Sequence, residues 1–142
     1  MLAHRELVRT VVVCLGMLAA AEGLAAQKAK GVLDPDKVPR VQPAELQKLV
    51  AKGQVLVVDV RSALAFEAGH LEGALHVPAR EIESQAAGLK KQAGSRRIVL
   101  YCSCPFEHSA AEAAATLTRL GVKRVSVLAG GYRLTALTAG PS

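Results

Sequence analysis

The stretch Val55-Leu56-Val57-Val58-Asp59-Val60 is apolar at every position but one and mostly β-branched. A half-exposed strand would alternate apolar and polar side chains. An unbroken run therefore predicts a strand buried on both faces, as in a parallel sheet with helices above and below it. Two more such runs follow, Arg97-Ile98-Val99-Leu100-Tyr101 and Val125-Ser126-Val127-Leu128. Helical segments alternate with them. Pro43 to Val50 has Pro in a first turn and Leu46, Leu49 and Val50 on one face, with Gly53 as its stop. Arg80 to Gln92 reads as a polar helix, Ser109 to Leu120 as an Ala-rich helix closed by Gly121, and Gly130-Gly131 as the opening of a last short helix. This order implies a single α/β domain with a parallel sheet and right-handed crossovers.

Composition removes several alternatives. With 51% hydrophobic and 21% charged residues in 142, the chain can bury one core and is too apolar to stay disordered. Three cysteines are too few for a disulfide scaffold, and no four-ligand Cys/His set has structural-zinc spacing. Phe66, Phe106, Tyr101 and Tyr132 are the only aromatic side chains, too few for a base-stacking surface, so the net charge of +6 does not imply a nucleic-acid partner. That charge is unevenly spread. Residues 27–87 balance, whereas 88–142 hold Lys90, Lys91, Arg96, Arg97, Arg119, Lys123, Arg124 and Arg133 against only Glu107 and Glu112. A positive field in the half that holds Cys102 and Cys104 would draw small anions toward a thiolate. Scattered surface cations that merely keep the chain soluble are the plainer reading.

The N-terminal 26 residues read as a signal peptide. Arg5 and Arg9 precede an uncharged run from Thr10 to Ala21 that contains Cys14, and the small residues Gly23-Leu24-Ala25-Ala26 follow. The run is short against the roughly 20 apolar residues of a membrane-spanning helix. Cleavage near Ala25 or Ala26 and export to the periplasm or beyond are expected. Membrane association follows only if the segment stays uncleaved as an anchor. Residues 27–40 are polar, Pro-containing and aperiodic, and read as a linker, with the domain at 41–142.

In parallel sheets ligands bind beyond the carboxyl ends of the strands. Two such points carry unusual residues: Asp59-Val60-Arg61, and the loop Cys102-Ser103-Cys104-Pro105-Phe106-Glu107-His108-Ser109 after Tyr101. A cysteine directly after a buried strand and ahead of a helix has backbone N–H groups and the positive helix end aimed at its sulfur, and both favour the nucleophilic thiolate. A buried structural cysteine is the bland reading, and the polar, Pro-interrupted loop argues against it. Asp59 and Arg61 are expected to pair at the strand end, mainly as architecture. His70, between Gly69 and Gly73, reads as turn and packing chemistry, and Ser109 as a helix N-cap.

Val58-Asp59-Val60-Arg61, Phe66, Gly69-His70-Leu71-Glu72-Gly73-Ala74 and His76-Val77-Pro78 together resemble the first signature of the rhodanese-like (sulfurtransferase) family. Val99-Leu100-Tyr101-Cys102, the Ala-rich helix and Leu128-Ala129-Gly130-Gly131-Tyr132 resemble its second half. The resemblance spans about Val41 to Gly140. It implies a three-layer fold, no cofactor, and sulfur transfer: Cys102 takes sulfur from a small anionic donor such as thiosulfate or polysulfide, holds it as a persulfide in the loop N–H cradle, and passes it to a thiophilic acceptor.

The loop departs from the family's usual form. A typical member has Arg or Thr at the fifth position after the cysteine. Here Glu107 stands there and His108 follows, giving a Cys-x-Cys-Pro-x-Glu pattern similar to that of a bacterial subgroup. The loop length resembles that of rhodanese-fold phosphatases. Those enzymes need an arginine where His108 stands, so phosphatase activity is expected to be negligible. Glu107 would repel an anion, and His108 could offer a weak substitute donor. Cys104 is expected on the loop surface, outside the cradle that serves Cys102, as a bystander or as a partner that resolves the persulfide, with a thiol-reducing protein to restore it. Two alternatives remain at this stage: a catalytically silent binding or sensing module, and a thiol redox or soft-metal site using Cys102, Cys104 and His108.

Overall fold

The computed structural model describes residues 34–138, all within one compact unit. The expected signal segment and residues 27–33 lie outside the described residues. Five strands, β1 (Arg40–Val41), β2 (Val55–Asp59), β3 (Leu75–His76), β4 (Arg97–Tyr101) and β5 (Val125–Leu128), form one parallel sheet in the order β1-β5-β4-β2-β3. The three apolar runs are its centre. Among the described residues five α-helices accompany them: α1 (Pro43–Ala51), α2 (Ala63–Glu67), α3 (Ile82–Ala93), α4 (His108–Arg119) and α5 (Gly131–Thr138).

Strand alternation assigns each side chain to one of two cores. Leu56, Val58, Ile98, Leu100 and Val127 face α3 and α4, where they meet Ile82, Leu89, Ala110, Ala114 and Leu117. Val55, Val57, Val99, Tyr101 and Leu128 face the other way, toward Val41 and Leu46, with Tyr132 of α5 against them. Cys102 continues the Ile98 and Leu100 series and belongs to the core under α4. The buried alanines of α4 let the helix backbone approach the sheet closely, and this brings its N-terminus down onto the loop after β4.

The linker expected over 27–40 is corrected at its C-terminal end. Pro35–Lys37 form a 3-10 turn capped by Asp34, Val38 is buried, and Arg40 and Val41 pair with Val127 and Leu128 of β5. The Arg40 guanidinium gathers the carbonyls of Pro35, Asp36 and Val38. An edge strand of two residues needs only ladder hydrogen bonds and one or two buried side chains, so it leaves no periodic pattern to read. The same holds for β3. The helix expected from Arg80 starts at Ile82 behind a 3-10 turn, Ala79–Glu81.

Candidate active site

The register that sets Asp59 opposite Tyr101 brings the loops after β2 and β4 side by side at the carboxyl edge of the sheet. Asp59-Val60-Arg61 and the cysteine loop, distant in sequence, thus form one surface. The Asp59 carboxylate is fully buried, and it accepts from Arg61 Nε at 3.0 Å and from Nη2 at 2.6 Å. The Arg61 backbone N–H adds a further bond, to Oδ1, at 2.9 Å. Burial by itself would raise the Asp59 carboxyl, but these bonds, with one from the Tyr101 hydroxyl, hold it below its ordinary range. Burial and the neighbouring carboxylate push the Tyr101 phenol well above its usual value, while its hydroxyl accepts the Leu71 N–H at 3.1 Å.

Arg61 is spent on this framework. Its Nη2 donates to the Gly69 carbonyl at 2.7 Å, its guanidinium lies 4.1 Å from the centre of the Tyr132 ring and 5.5 Å from that of Tyr101, and Nη1 reaches Ser103 Oγ at 3.4 Å. Arg61 thus touches the cysteine loop from a strand end and not from the loop itself.

Cys102 is 3% exposed, and its carbonyl accepts the Tyr132 N–H at 2.9 Å. A Cβ at Gly131 would overlap that carbonyl, and Gly131 has φ 60°, so glycine is required here on both counts. The two sulfurs stand together: Cys102 Sγ and Cys104 Sγ are 2.6 Å apart, and both thiols are free. Burial pushes the Cys102 thiol up to about 11, assisted by its hydrogen bond to Cys104 and opposed by the N–H groups of Ala110 and Cys104. Burial also opposes ionisation of Cys104, but the Cys102 S–H and the backbone and hydroxyl of Ser109 outweigh it and lower that thiol. The pair therefore ionises first at Cys104, with the proton kept on Cys102 and shared between the sulfurs.

Several loop expectations are corrected here. Cys104 is not outside the cradle; it is the half-exposed member of a pair that both face the N-terminal N–H groups of α4. Helix α4 begins at His108, and its N-cap is Glu107, in a left-handed conformation with φ 52°. Ser109 sits inside the first turn and serves the Cys104 sulfur. The Glu107 carboxylate turns to the β5–α5 connection, accepting the Gly130 N–H at 2.7 Å with Arg40 Nε at 3.7 Å, so it acts as a tether between two loops. His108 is exposed and stands edge-on to the exposed ring of Phe106, 6.0 Å between centroids. Ser103 and Pro105 are exposed. Among the described residues no three Cys, His, Asp or Glu side chains are grouped so as to hold a metal, so Cys102, Cys104 and His108 do not form a ligand set. His70 packs as expected, stacked on Phe66 at 3.7 Å with Nδ1 at 2.9 Å from the Phe66 carbonyl.

Half of the cationic surplus lies elsewhere. Lys90, Arg96, Lys123 and Arg124 line a cavity of about 460 Å³ beside the starts of β4 and β5, at the opposite end of the sheet from the sulfurs. There the carbonyls that end α3 accept from Arg96, and Ser95 O accepts from Arg124, the favourable placement for cations near helix C-termini. Sequence reasoning also missed Arg40, Tyr101 and Tyr132 as site-building residues. A signal existed only for the Gly130-Gly131-Tyr132 run, where two glycines in sequence mark a special backbone path.

Residues 42–135 match the family model of the rhodanese-like domain. The chain belongs to the rhodanese-like family. Within it, the thiosulfate sulfurtransferase GlpE of Pseudomonas putida is 30% identical over 99 residues, covering 70% of this chain and 86% of that protein. The human single-domain sulfurtransferase TSTD1 superposes with a TM-score of 0.61 at 27% identity, over 72% of this chain and 98% of its own. A further similarity, 41% over 59 residues, is to the HTH-type transcriptional regulator Rv0324 of Mycobacterium tuberculosis. The chain spans only 25 to 31% of the length of such longer curated relatives. The chain is thus similar both to a sulfurtransferase of about this size and to segments of larger proteins that bear other names.

Proposed function

We propose that this rhodanese-like protein is a sulfurtransferase that acts outside the cytoplasm, taking sulfane sulfur from a small anionic donor onto Cys102 and passing it to a thiophilic acceptor. The observation that carries this reading is the position of Cys102: its sulfur ends β4 facing the N–H groups of Ala110 and Cys104, with a proton acceptor, Cys104 Sγ, 2.6 Å away. The thiol of Cys102 passes its proton to the Cys104 thiolate as it attacks the outer sulfur of thiosulfate. Sulfite leaves, and the perthiolate on Cys102 is held by the same N–H donors. Cys104 thus supplies the activation that a thiol pushed up to about 11 needs. Phosphoryl transfer is the poorer fit, because it calls for a guanidinium fork on the phosphate oxygens and Arg61 is committed to Asp59 and Gly69.

Reduced full-length protein mixed with thiosulfate should release one sulfite per chain. Cys102→Ser should release none, and Cys104→Ser, which lacks the proton acceptor, should release sulfite more slowly and become one sulfur heavier. Sulfite release by Cys102→Ser but not by Cys104→Ser would move the nucleophile to Cys104, and no release by any form would leave a binding module. Export rests on the N-terminal charge and hydropathy pattern: sequencing of the mature protein should begin near Ala26 or Gln27, and Met1 retained on a cytoplasmic protein would remove that part of the proposal.

A further inference from the structure

Two thiols whose sulfurs stand 2.6 Å apart inside one helix-end cradle can do more than load a single persulfide. Most of what surrounds them is already assigned: Glu107 to Gly130, Arg61 to Asp59, the Cys102 carbonyl to Tyr132. The second sulfur is free and half-exposed. We infer that Cys104 discharges the sulfur loaded on Cys102 as hydrosulfide, closing a Cys102–Cys104 disulfide, so that the site is a sulfane-sulfur reductase as well as a carrier. This inference rests on the sulfurtransferase reading above.

The step balances without an outside reagent. After loading, Cys102 bears Sγ–S⁻ and Cys104 bears the proton it received. The Cys104 sulfur attacks the inner sulfur, Cys102 Sγ, and the bond between that atom and the outer sulfur breaks. The outer sulfur leaves with the electron pair and takes the Cys104 proton, as HS⁻. The sulfane sulfur is reduced by two electrons and the two thiols are oxidised to the disulfide. Contact between the two Sγ atoms selects attack at the inner sulfur over transfer of the outer one, because the outer sulfur stands one bond further from Cys104. The Ser109 N–H and hydroxyl favour the Cys104 thiolate. A further turnover requires reduction of the disulfide by a dithiol, and Cys104, as the more exposed sulfur, is the one such a reductant would attack.

The test uses reduced full-length protein, without oxygen or added thiol, and thiosulfate as the donor, with sulfite, hydrosulfide and protein mass all measured. Wild type should release one sulfite and one hydrosulfide per chain and become two hydrogens lighter. Cys104→Ser and Cys104→Ala should release sulfite more slowly than wild type, because the proton acceptor is gone, but should release no hydrosulfide and remain one sulfur heavier once loaded. With excess thiosulfate removed, dithiothreitol should return the oxidised wild-type protein to its starting mass without further hydrosulfide, whereas from the Cys104 variants it should release the one retained sulfur as hydrosulfide. Wild-type protein that stays one sulfur heavier and yields no hydrosulfide would overturn the inference while the sulfurtransferase reading stands. Hydrosulfide release from both Cys104 variants before dithiothreitol is added would overturn it too. If no form releases sulfite, the sulfurtransferase reading fails and this inference with it.

Discussion

At the scale of single residues, the site is governed by which charges are buried together. The Cys102 thiol is raised first by burial and then by the neighbouring Cys104, so removing the neighbour should lower it. In Cys104→Ser, the alkylation rate of Cys102 plotted against pH should rise at lower pH than in wild type, and an unchanged profile would show that burial alone sets the value. The Asp59–Arg61 pair makes a second case. Its side chains are 0% and 8% exposed, and loss of one partner leaves a charge in the protein with nothing to match it. Arg61→Ala should cost about 3–5 kcal/mol in chemical denaturation. Arg97→Ala, which breaks an exposed pair with Glu45, should cost about 1 kcal/mol or less. Because the Asp59 carboxyl is held below its ordinary range, the stability it contributes is complete above its unfolded pKa and is lost as pH falls through the folded one.

At the scale of elements, three chain segments meet on one carbonyl and one helix end. The Gly130-Gly131 turn after β5 clamps Cys102 through the Tyr132 N–H, and Glu107 at the start of α4 binds the same turn through Gly130. Gly131→Ala should therefore do two kinds of damage. A left-handed residue costs roughly 1–2 kcal/mol when glycine is replaced, and here the new methyl group also meets the Cys102 carbonyl. Gly53, with φ 63° and open space at its Cβ position, supplies the control, since Gly53→Ala should show the backbone cost alone. Denaturation midpoints and sulfite release from thiosulfate should both fall more for Gly131→Ala than for Gly53→Ala. Equal effects would mean that the turn does not hold the cysteine.

At the scale of the whole molecule, net charge and local field part company: Lys90, Arg96, Lys123 and Arg124, half of the cations of the basic C-terminal part, cluster at the end of the sheet away from the thiols. With about 8 Å of screening length at physiological salt, their influence on an anion at Cys102 is small. Lys123→Glu should leave the rate of sulfite release within about twofold of wild type, and a larger fall would mean that the distant cluster steers the donor. The sequence by itself determined the layered α/β plan, because fully buried central strands must be apolar at consecutive positions and helices must break at Gly and Pro. It likewise marked Cys102, since a cysteine between a buried strand and a helix stands out in one dimension. Tertiary structure alone decided the rest. Edge strands of two residues carry no period. The burial of Val38, the turn of Glu107 toward Gly130 and the sheet end that receives the lysines depend on which elements become neighbours. The meeting of Cys104 with Cys102 depends on the path of a six-residue connection from β4 to α4, and spacing along the chain does not specify that path.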